Sequence, residues 1–468
     1  MPEPKKSPFE YERKSVWTKV NDTGRNVIFD FASDYRKFMS MCKTERECVR
    51  FIESEALRTG FRGFESASYK PGERIVINNG NRNILLAIIG KSDIKNGFNI
   101  IASHIDAPRL DLKPLPIIED SEMALLKTHY YGGIKKYQWV NMPLAIHGTI
   151  IKADGQSIDL SLGEDENDPV FTINDILPHL AGKIQGEKKL LDGIDGENLK
   201  LVIGNIPLRD SDIQEKVKAM TLQVLNEQYG LNEEDFISAE IEIVPAYKAR
   251  DVGFDRSMIG AYGHDDRACS YAAFRSLIDF ADVPERSVMA LLVDKEEIGS
   301  FGITGIRSMF LYNSIGSIIG LIYPEYRESE LRGAFERSFC ISGDVGAVIN
   351  PMFKDAFDPT NAPKMGYGVL LEKYTGSRGK YGASDASAEL MAKVRKIFND
   401  NGVVWQPSIL GKVDEGGGGT VAMYLAERGI PVVDCGVGVD GMHSPFEVMS
   451  KGDLYETYRA YKAFLKDA

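Results

Sequence analysis

The sequence predicts an α/β protein: a mainly parallel sheet covered by helices, with a mostly-β segment inserted into it. Three observations carry that expectation. Short apolar runs at 84–89, 98–104, 288–293 and 430–435 alternate with amphipathic stretches of helical period. These runs are predominantly apolar, as suits strands buried on both faces. From about 112 to 250 the alternation gives way to shorter strands separated by Asp-Gly turns and charge-rich loops. We therefore divide the chain into a first α/β part at 1–111, an inserted domain at 112–250 and a second α/β part at 251–468.

In chain order, 15–60 reads as two helices. The second opens on a capping box, Thr44 as N-cap and Glu47 three residues on, and then places Cys48, Val49, Phe51, Ile52, Ala56 and Leu57 on one face. The strand at 98–104 runs into His104-Ile-Asp106-Ala-Pro-Arg109, where Pro108 stops the ladder. Within the insert, 144–151 and 158–162 read as antiparallel strands. Beyond it, 267–281 reads as a helix and 288–293 as a buried strand. A helix within 305–321 leads to a strand at 338–342. Then come a helix at 386–398, an extended stretch at 403–410, a helix at 420–428 entered through Gly416–Gly419, and a closing helix at 453–466. No repeat of 20–50 residues is visible.

Composition bounds the function. The 468 residues are 43% hydrophobic and 26% charged, an ordinary globular balance. A formal charge of -12 leaves no surplus to neutralise phosphates, which argues against a general nucleic-acid binder. No apolar run approaches the roughly 18 residues of a membrane span, and the first residues lack the apolar stretch of a signal peptide. Five cysteines without a C-x-x-C pair read as reduced core residues, and the expected compartment is the cytoplasm.

Chemistry concentrates where strands end. The strand at 288–293 runs straight into Asp294-Lys295-Glu296-Glu297, and ionisable groups at the exit of a buried strand are costly unless their charge is used. On an extended segment the two glutamates would point to opposite sides, one toward a metal and one toward substrate. Strand 98–104 delivers His104 and Asp106, strand 338–342 delivers Asp344, and strand 430–435 leads to His443. Asp265 and Asp266 stand directly before a helix. In open α/β sheets ligands bind just beyond the strands' carboxyl ends. Imidazoles and carboxylates without thiolates suit Zn, Mn or Co, and the set exceeds one tetrahedral site but matches two ions sharing a carboxylate.

These stretches, Ser103-His104-Ile-Asp106-Ala-Pro-Arg-Leu, Asp265-Asp266-Arg, Asp294-Lys-Glu296-Glu297-Ile-Gly-Ser, Ser342-Gly-Asp344 and Gly441-Met-His443-Ser, resemble the M18 metallo-aminopeptidases. That is the aspartyl aminopeptidase family, and the likeness is to its bacterial branch. The resemblance implies a catalytic α/β domain interrupted by an oligomerisation domain, and two divalent ions, Zn foremost with Co or Mn as alternatives. It implies Asp265 as the bridging ligand, His104 and Asp344 at one ion, and Glu297 and His443 at the other. Glu296 would be the general base and Asp106 would orient His104. A cis peptide is expected at Asp265–Asp266. The implied substrates are short peptides with a free N-terminus, cleaved by a dodecamer built from dimers, with His179 near a neighbouring subunit's metal site and no nucleic-acid or membrane partner.

The sequence also departs from the family. Asp344-Val-Gly-Ala-Val-Ile-Asn lacks the histidines that eukaryotic members carry there, and Lys183 replaces another. Selectivity for acidic residues would need a cation near the site; Lys373, Arg378 and Lys380 are candidates, with Glu372 opposing them. Two other readings compete: a related deacylase acting on amides without a free α-amine, and an inactive shell-forming assembly protein. The intact ligand set and Glu296 weigh against the second.

Overall fold

In the computed structural model, which describes residues 7–64, 69–209 and 212–468, two sheets dominate and a third, smaller one closes the site. The chain begins with helices α1 (Val16–Lys19), α2 (Asp22–Met41) and α3 (Glu45–Arg58). The capping box at α3 forms as the sequence predicts: Thr44 accepts from the Glu47 amide while the Glu47 carboxylate accepts from the Thr44 amide. Strands β1 (Arg62–Gly63), β2 (Arg74–Asn79), β3 (Asn83–Ile88) and β4 (Phe98–His104) follow, and β4 is buried along its whole length.

After β4 the chain leaves this sheet and builds a six-stranded antiparallel one. Its members are β5 (Arg109–Asp120), β6 (Met123–Tyr131), β7 (Leu144–Ile151), β8 (Ser157–Leu162), β9 (Lys200–Gly204) and β10 (Ala239–Pro245), in the order β8-β7-β10-β5-β6-β9. β5 is twelve residues long, longer than the short strands expected here. Helices α4 (Pro178–Ile184) and α5 (Lys216–Tyr229) lie in the same stretch. The fourteen-residue α5 was not anticipated, because it carries only a weak apolar stripe and buries Val217 alone. This part has its own core, centred on Trp139, Leu144, Leu201 and Ile243.

The chain then returns through β11 (Arg250–Val252), β12 (Met258–Ala261), α6 (His264–Ile278) and β13 (Ser287–Val293). Next come α7 (Phe310–Ile322), α8 (Glu328–Glu336), β14 (Phe339–Ser342), β15 (Gly346–Ala347), β16 (Val369–Glu372), α9 (Ala388–Asp400) and β17 (Trp405–Pro407). The last elements are α10 (Ala422–Ala426), β18 (Val432–Gly436), β19 (Gly438–Asp440), β20 (Glu447–Ser450) and α11 (Lys451–Asp467). α6 starts three residues before the predicted helix, and only Trp405–Pro407 of the predicted 403–410 stretch joins a ladder.

The nine-stranded sheet runs β1-β2-β3-β13-β4-β14-β18-β16-β17. Its centre, β13-β4-β14-β18, is parallel as expected. The flanks are mixed, because β3 pairs antiparallel with β2 and β13, and β16 pairs antiparallel with β18. Helices cover both faces. One core includes residues of α2, α3, α6, α9 and α11, the other residues of α7, α8 and α10. The parallel centre matters most, because the carboxyl ends of β4, β13, β14 and β18 point the same way.

Candidate metal centre and active site

His104 is the last residue of β4, and its ring sits at the middle of the polar cluster. Nε2 lies 3.4 Å from Asp265 Oδ1, 3.9 Å from Asp344 Oδ1 and 4.0 Å from Glu296 Oε2. On the far side Nδ1 faces Asp106, 3.2 Å from Oδ1 and 3.1 Å from the backbone carbonyl. His443 completes the other end: its Nε2 is 3.1 Å from Asp265 Oδ2 and 3.5 Å from Glu297 Oε2. Asp265 thus presents one carboxylate oxygen to each imidazole, and the peptide bond after it is cis, as expected from the sequence.

The two glutamates do not leave β13 on an extended segment. Lys295 takes a left-handed conformation (φ 69°) and Glu296–Ile298 coil into one 3₁₀ turn. The predicted opposite-facing pair is therefore replaced by a turn that brings both carboxylates to the same cluster. Asp106 holds that turn, since its two oxygens accept from the amides of Glu296 and Glu297, each at 3.1 Å. One Asp106 carboxylate therefore fixes the ring of His104 and the backbone of both glutamates.

Several contributing residues were not singled out from the sequence. Glu447, buried at the start of β20, accepts from the Asp265 amide at 3.1 Å and the His443 amide at 2.7 Å. It ties the backbones of two site residues together. Its only signal was a glutamate opening a short apolar run. The six-stranded sheet contributes too. Tyr131 at the end of β6 donates to Asp106 Oδ2 at 2.8 Å, and the Gly133 carbonyl meets His443 Nδ1 at 2.9 Å. Gly132, with φ +71°, passes so close that a side chain there would press on Glu297. Asp266 accepts from the His104 amide at 3.3 Å.

The open side is a cleft of about 210 Å³ lined by Asp265, Glu296, Glu297, Asp344, His443 and the glycines at 417–419. The glycine run is a close-approach device: at Gly417 a Cβ would lie 2.3 Å from the Gly376 carbonyl. The three basic candidates for acid selectivity do not line this cleft. Lys373 and Lys380 both reach Asp385 at 3.1 Å, and Arg378 lines a neighbouring hollow with Lys380. His147, His179, His129 and His264 lie elsewhere. His147 pairs with Glu47 and Glu164, His264 bonds Tyr35, and His129 and His179 are exposed.

The protonation pattern follows from burial and crowding. Burial pushes the Glu296 carboxyl up to about 8 against the pull of His104, with Asp344, Asp106 and Asp265 adding repulsion. Burial and Asp265 push Glu297 well up, and burial also raises Asp344. For Asp265 burial is outweighed by the two imidazoles, which hold it low. The imidazoles are raised in turn despite burial, His443 to about 10. Six carboxylates and the His443 imidazole line this cleft, with no lysine or arginine lining it among the described residues.

These residues fit divalent cations. Single donor atoms of His104, Asp265 and Asp344, of His104, Glu296 and Glu297, and of Asp265, Glu297 and His443 fall in three sets, each within 4.8 Å. Glu297 Oε1 is buried without a hydrogen-bond partner, a costly arrangement that a bound cation relieves.

The comparisons with known proteins agree with this chemistry. A family model described as aminopeptidase I zinc metalloprotease (M18) matches residues 38–465. A probable M18 family aminopeptidase 1 of Borrelia garinii is 48% identical over 97% of this chain and all of its own length. An M18 aminopeptidase structure from Thermotoga maritima superposes with a TM-score of 0.94, at 47% identity over 98% of this chain and all of its own. The mApe1 dodecamer of S. cerevisiae shares the fold at 21% identity, with a TM-score of 0.76 over 94% of this chain and 97% of its own.

Proposed function

The chain belongs to the M18 family and is a metal-dependent aminopeptidase, and from that premise we propose that it removes the first residue of short peptides at a two-ion centre built on the cluster above. The observation that carries the reading is Asp265, which offers one oxygen beside His104 and Asp344 and the other beside His443 and Glu297. We assign Asp265 as the shared ligand, His104 and Asp344 to one ion, and Glu297 and His443 to the other; Zn fits the donor set, and Co or Mn would also. Bound there, such ions supply Lewis acidity toward the scissile carbonyl and make water a stronger acid.

The chain's own residues do the rest. Glu296 faces the cleft and takes the proton of the attacking water, then returns it to the leaving amine. Asp106 positions rather than reacts. It orients His104 and sets the turn that carries Glu296, and Tyr131 steadies it. The substrate's free α-amine is drawn to a cleft lined with carboxylates, which restricts cleavage to the first residue.

We further propose that the stretch at 112–250 is an inserted oligomerisation domain between catalytic parts 1–111 and 251–468. Leu177, Leu180, Ile184, Leu190 and Leu191 of that stretch are exposed, and such apolar surface is normally covered by a symmetry mate. His179 sits among them, consistent with a place near a neighbour's cleft in a dodecamer built from dimers. Five buried, free cysteines support a reducing compartment, the cytoplasm, and no helix of the described residues is long and apolar enough to cross a membrane.

Hydrolysis of dipeptides with free and with N-acetylated termini, at increasing Zn, Co or Mn, tests the reading. We expect turnover of the free-amine set only, saturating near two ions per chain, in a fraction whose light-scattering mass is a multiple of the chain. Equal turnover of the acetylated set would favour the deacylase instead, and a fully active monomer would remove the assembly.

A further inference from the structure

Beyond the metal-facing groups, the cleft carries a second acidic pair. Glu372 closes β16 and Asp434 lies in β18, and the two are direct cross-strand partners. Both are buried and both line the cleft. Glu372 Oε1 accepts from Ser408 Oγ at 2.5 Å, and Asp434 Oδ1 accepts from Thr420 Oγ1 at 2.7 Å. Among the described residues neither makes an ion pair, whereas most other buried carboxylates away from the cleft have an arginine or lysine. Like charges opposed across a ladder destabilise a sheet. Two buried acids without a counter-charge therefore leave a demand for a cation or a strong hydrogen-bond donor. Thr375 Oγ1, also at the cleft wall, is buried without a partner and adds a polar group to the same end.

Resting on the aminopeptidase reading, we propose that Glu372 and Asp434 form the floor of the pocket for the first residue's side chain, and that this pocket selects basic residues, Lys or Arg, and rejects Asp and Glu. The metal ligands leave this pair outside their set, so ions bound at His104, Asp265, Asp344, Glu297 and His443 do not neutralise it. Burial raises the two carboxyls to about 8 and about 7, with Asp344 adding repulsion to both. An incoming ammonium or guanidinium favours their ionised forms and gains charge-assisted hydrogen bonds. An acidic side chain would add a third negative group, and specificity is set as much by such repulsion as by attraction. The basic residues that might have reversed this preference are turned away: Lys373 and Lys380 are both engaged with Asp385.

The test compares kcat/KM for lysyl, arginyl, leucyl, aspartyl and glutamyl anilides on the full-length, metal-loaded protein. We expect the basic pair to exceed the acidic pair by about 100-fold or more, the scale of discrimination open to a site with buried polar groups. Glu372→Gln should lower the Lys-to-Leu ratio about tenfold, as should Asp434→Asn, through loss of a charge-assisted contact. Calorimetric binding of L-lysinamide against the α-amide of L-aspartic acid reads the same preference independently of turnover. Aspartyl turnover or binding equal to lysyl overturns the inference, and so does a Glu372→Gln variant that slows every substrate alike, since that would place Glu372 at the α-amine. If no anilide is cleaved but lysinamide still binds preferentially, the pocket stands and the peptidase reading falls.

Discussion

Two clusters of buried acids flank the end of β13, and they are neutralised in opposite ways. Asp294 belongs to one. There Arg82 reaches Asp294 at 2.9 Å and Glu240 at 2.8 Å, while Arg109 reaches Glu45 at 2.8 Å and Glu242 at 3.2 Å. The paired guanidiniums, against the cost of burial, hold Glu45 well below the usual carboxylate range, while burial, with Glu45 beside them, still pushes Glu242 well up and Asp294 up to about 7. Glu296 and Glu297, two and three residues further on, belong to the cleft, where no lysine or arginine lines the wall and burial holds both carboxyls high. The first cluster joins α3 and β3's turn to the six-stranded sheet with charge the chain supplies itself. The second leaves its charge to be balanced from outside. Burial of acids alone therefore does not mark a site; several buried acids crowded onto one open cleft without a fixed cation do.

The largest expected effect breaks the second cluster. Glu296→Gln should leave the metal content unchanged while lowering kcat by about 10²–10⁴-fold, the usual contribution of a positioned base. Its contacts are with the cleft and not with the fold, so metal content and melting should stay near those of the unchanged protein. A variant with normal turnover and equal metal content would remove Glu296 from its role.

The first cluster breaks differently. Arg109→Met leaves Glu242 buried without its ion-pair partner and Glu45 with Arg82 alone, at 3.5 Å, and removing one partner of a buried pair costs about 3–5 kcal/mol. The denaturation midpoint should fall accordingly, with the loss read as stability rather than as a change in metal content. An unchanged midpoint would mean that the ion pairs joining the sheets carry no net stability, and the contrast between the clusters would fail.

This contrast also explains what could be read in advance. The parallel centre of the sheet was legible because β4, β13, β14 and β18 are largely apolar and lead at or beyond their ends into His104, Glu296, Asp344 and His443. His104, Asp265, Glu296, Glu297, Asp344 and His443 do converge, with Asp106 behind His104. Glu447 and Tyr131 were not legible, because they act through backbone amides and one carboxylate, from strands whose pairing no local pattern declares. The 3₁₀ turn at Glu296 was missed for a related reason: Lys295 is left-handed without being glycine, so nothing in its identity signals the turn. α5 was missed because it buries almost nothing, and helical periodicity is written only where a face is buried.

The smallest effect sharpens the comparison at its seam, where a histidine rather than an arginine joins α3 to the six-stranded sheet. His147 on β7 meets Glu47 of α3 at 2.7 Å through Nδ1 and Glu164 at 3.0 Å through Nε2, and Glu164 also receives Lys43 at 2.5 Å. Burial would lower the imidazole, but the two carboxylates outweigh it and raise His147 above its ordinary 6.5. A raised folded value means that the contact's stabilisation is complete below pH 6.5 and is lost as pH climbs through the folded value. Glu47 and Glu164 are held below their ordinary 4.5 despite burial, so their share is present above pH 4.5 and is lost as pH falls through their folded values. The seam is therefore firmest between about pH 4.5 and 6.5. From pH 6 to pH 9 the unchanged protein should lose about 1–2 kcal/mol more than His147→Gln, which cannot titrate, in metal-saturated urea unfolding. The difference between the two curves isolates this histidine from the cleft's own titrations. Parallel curves would show that the imidazole is neutral at the seam throughout, and that the arginines alone hold the sheets together.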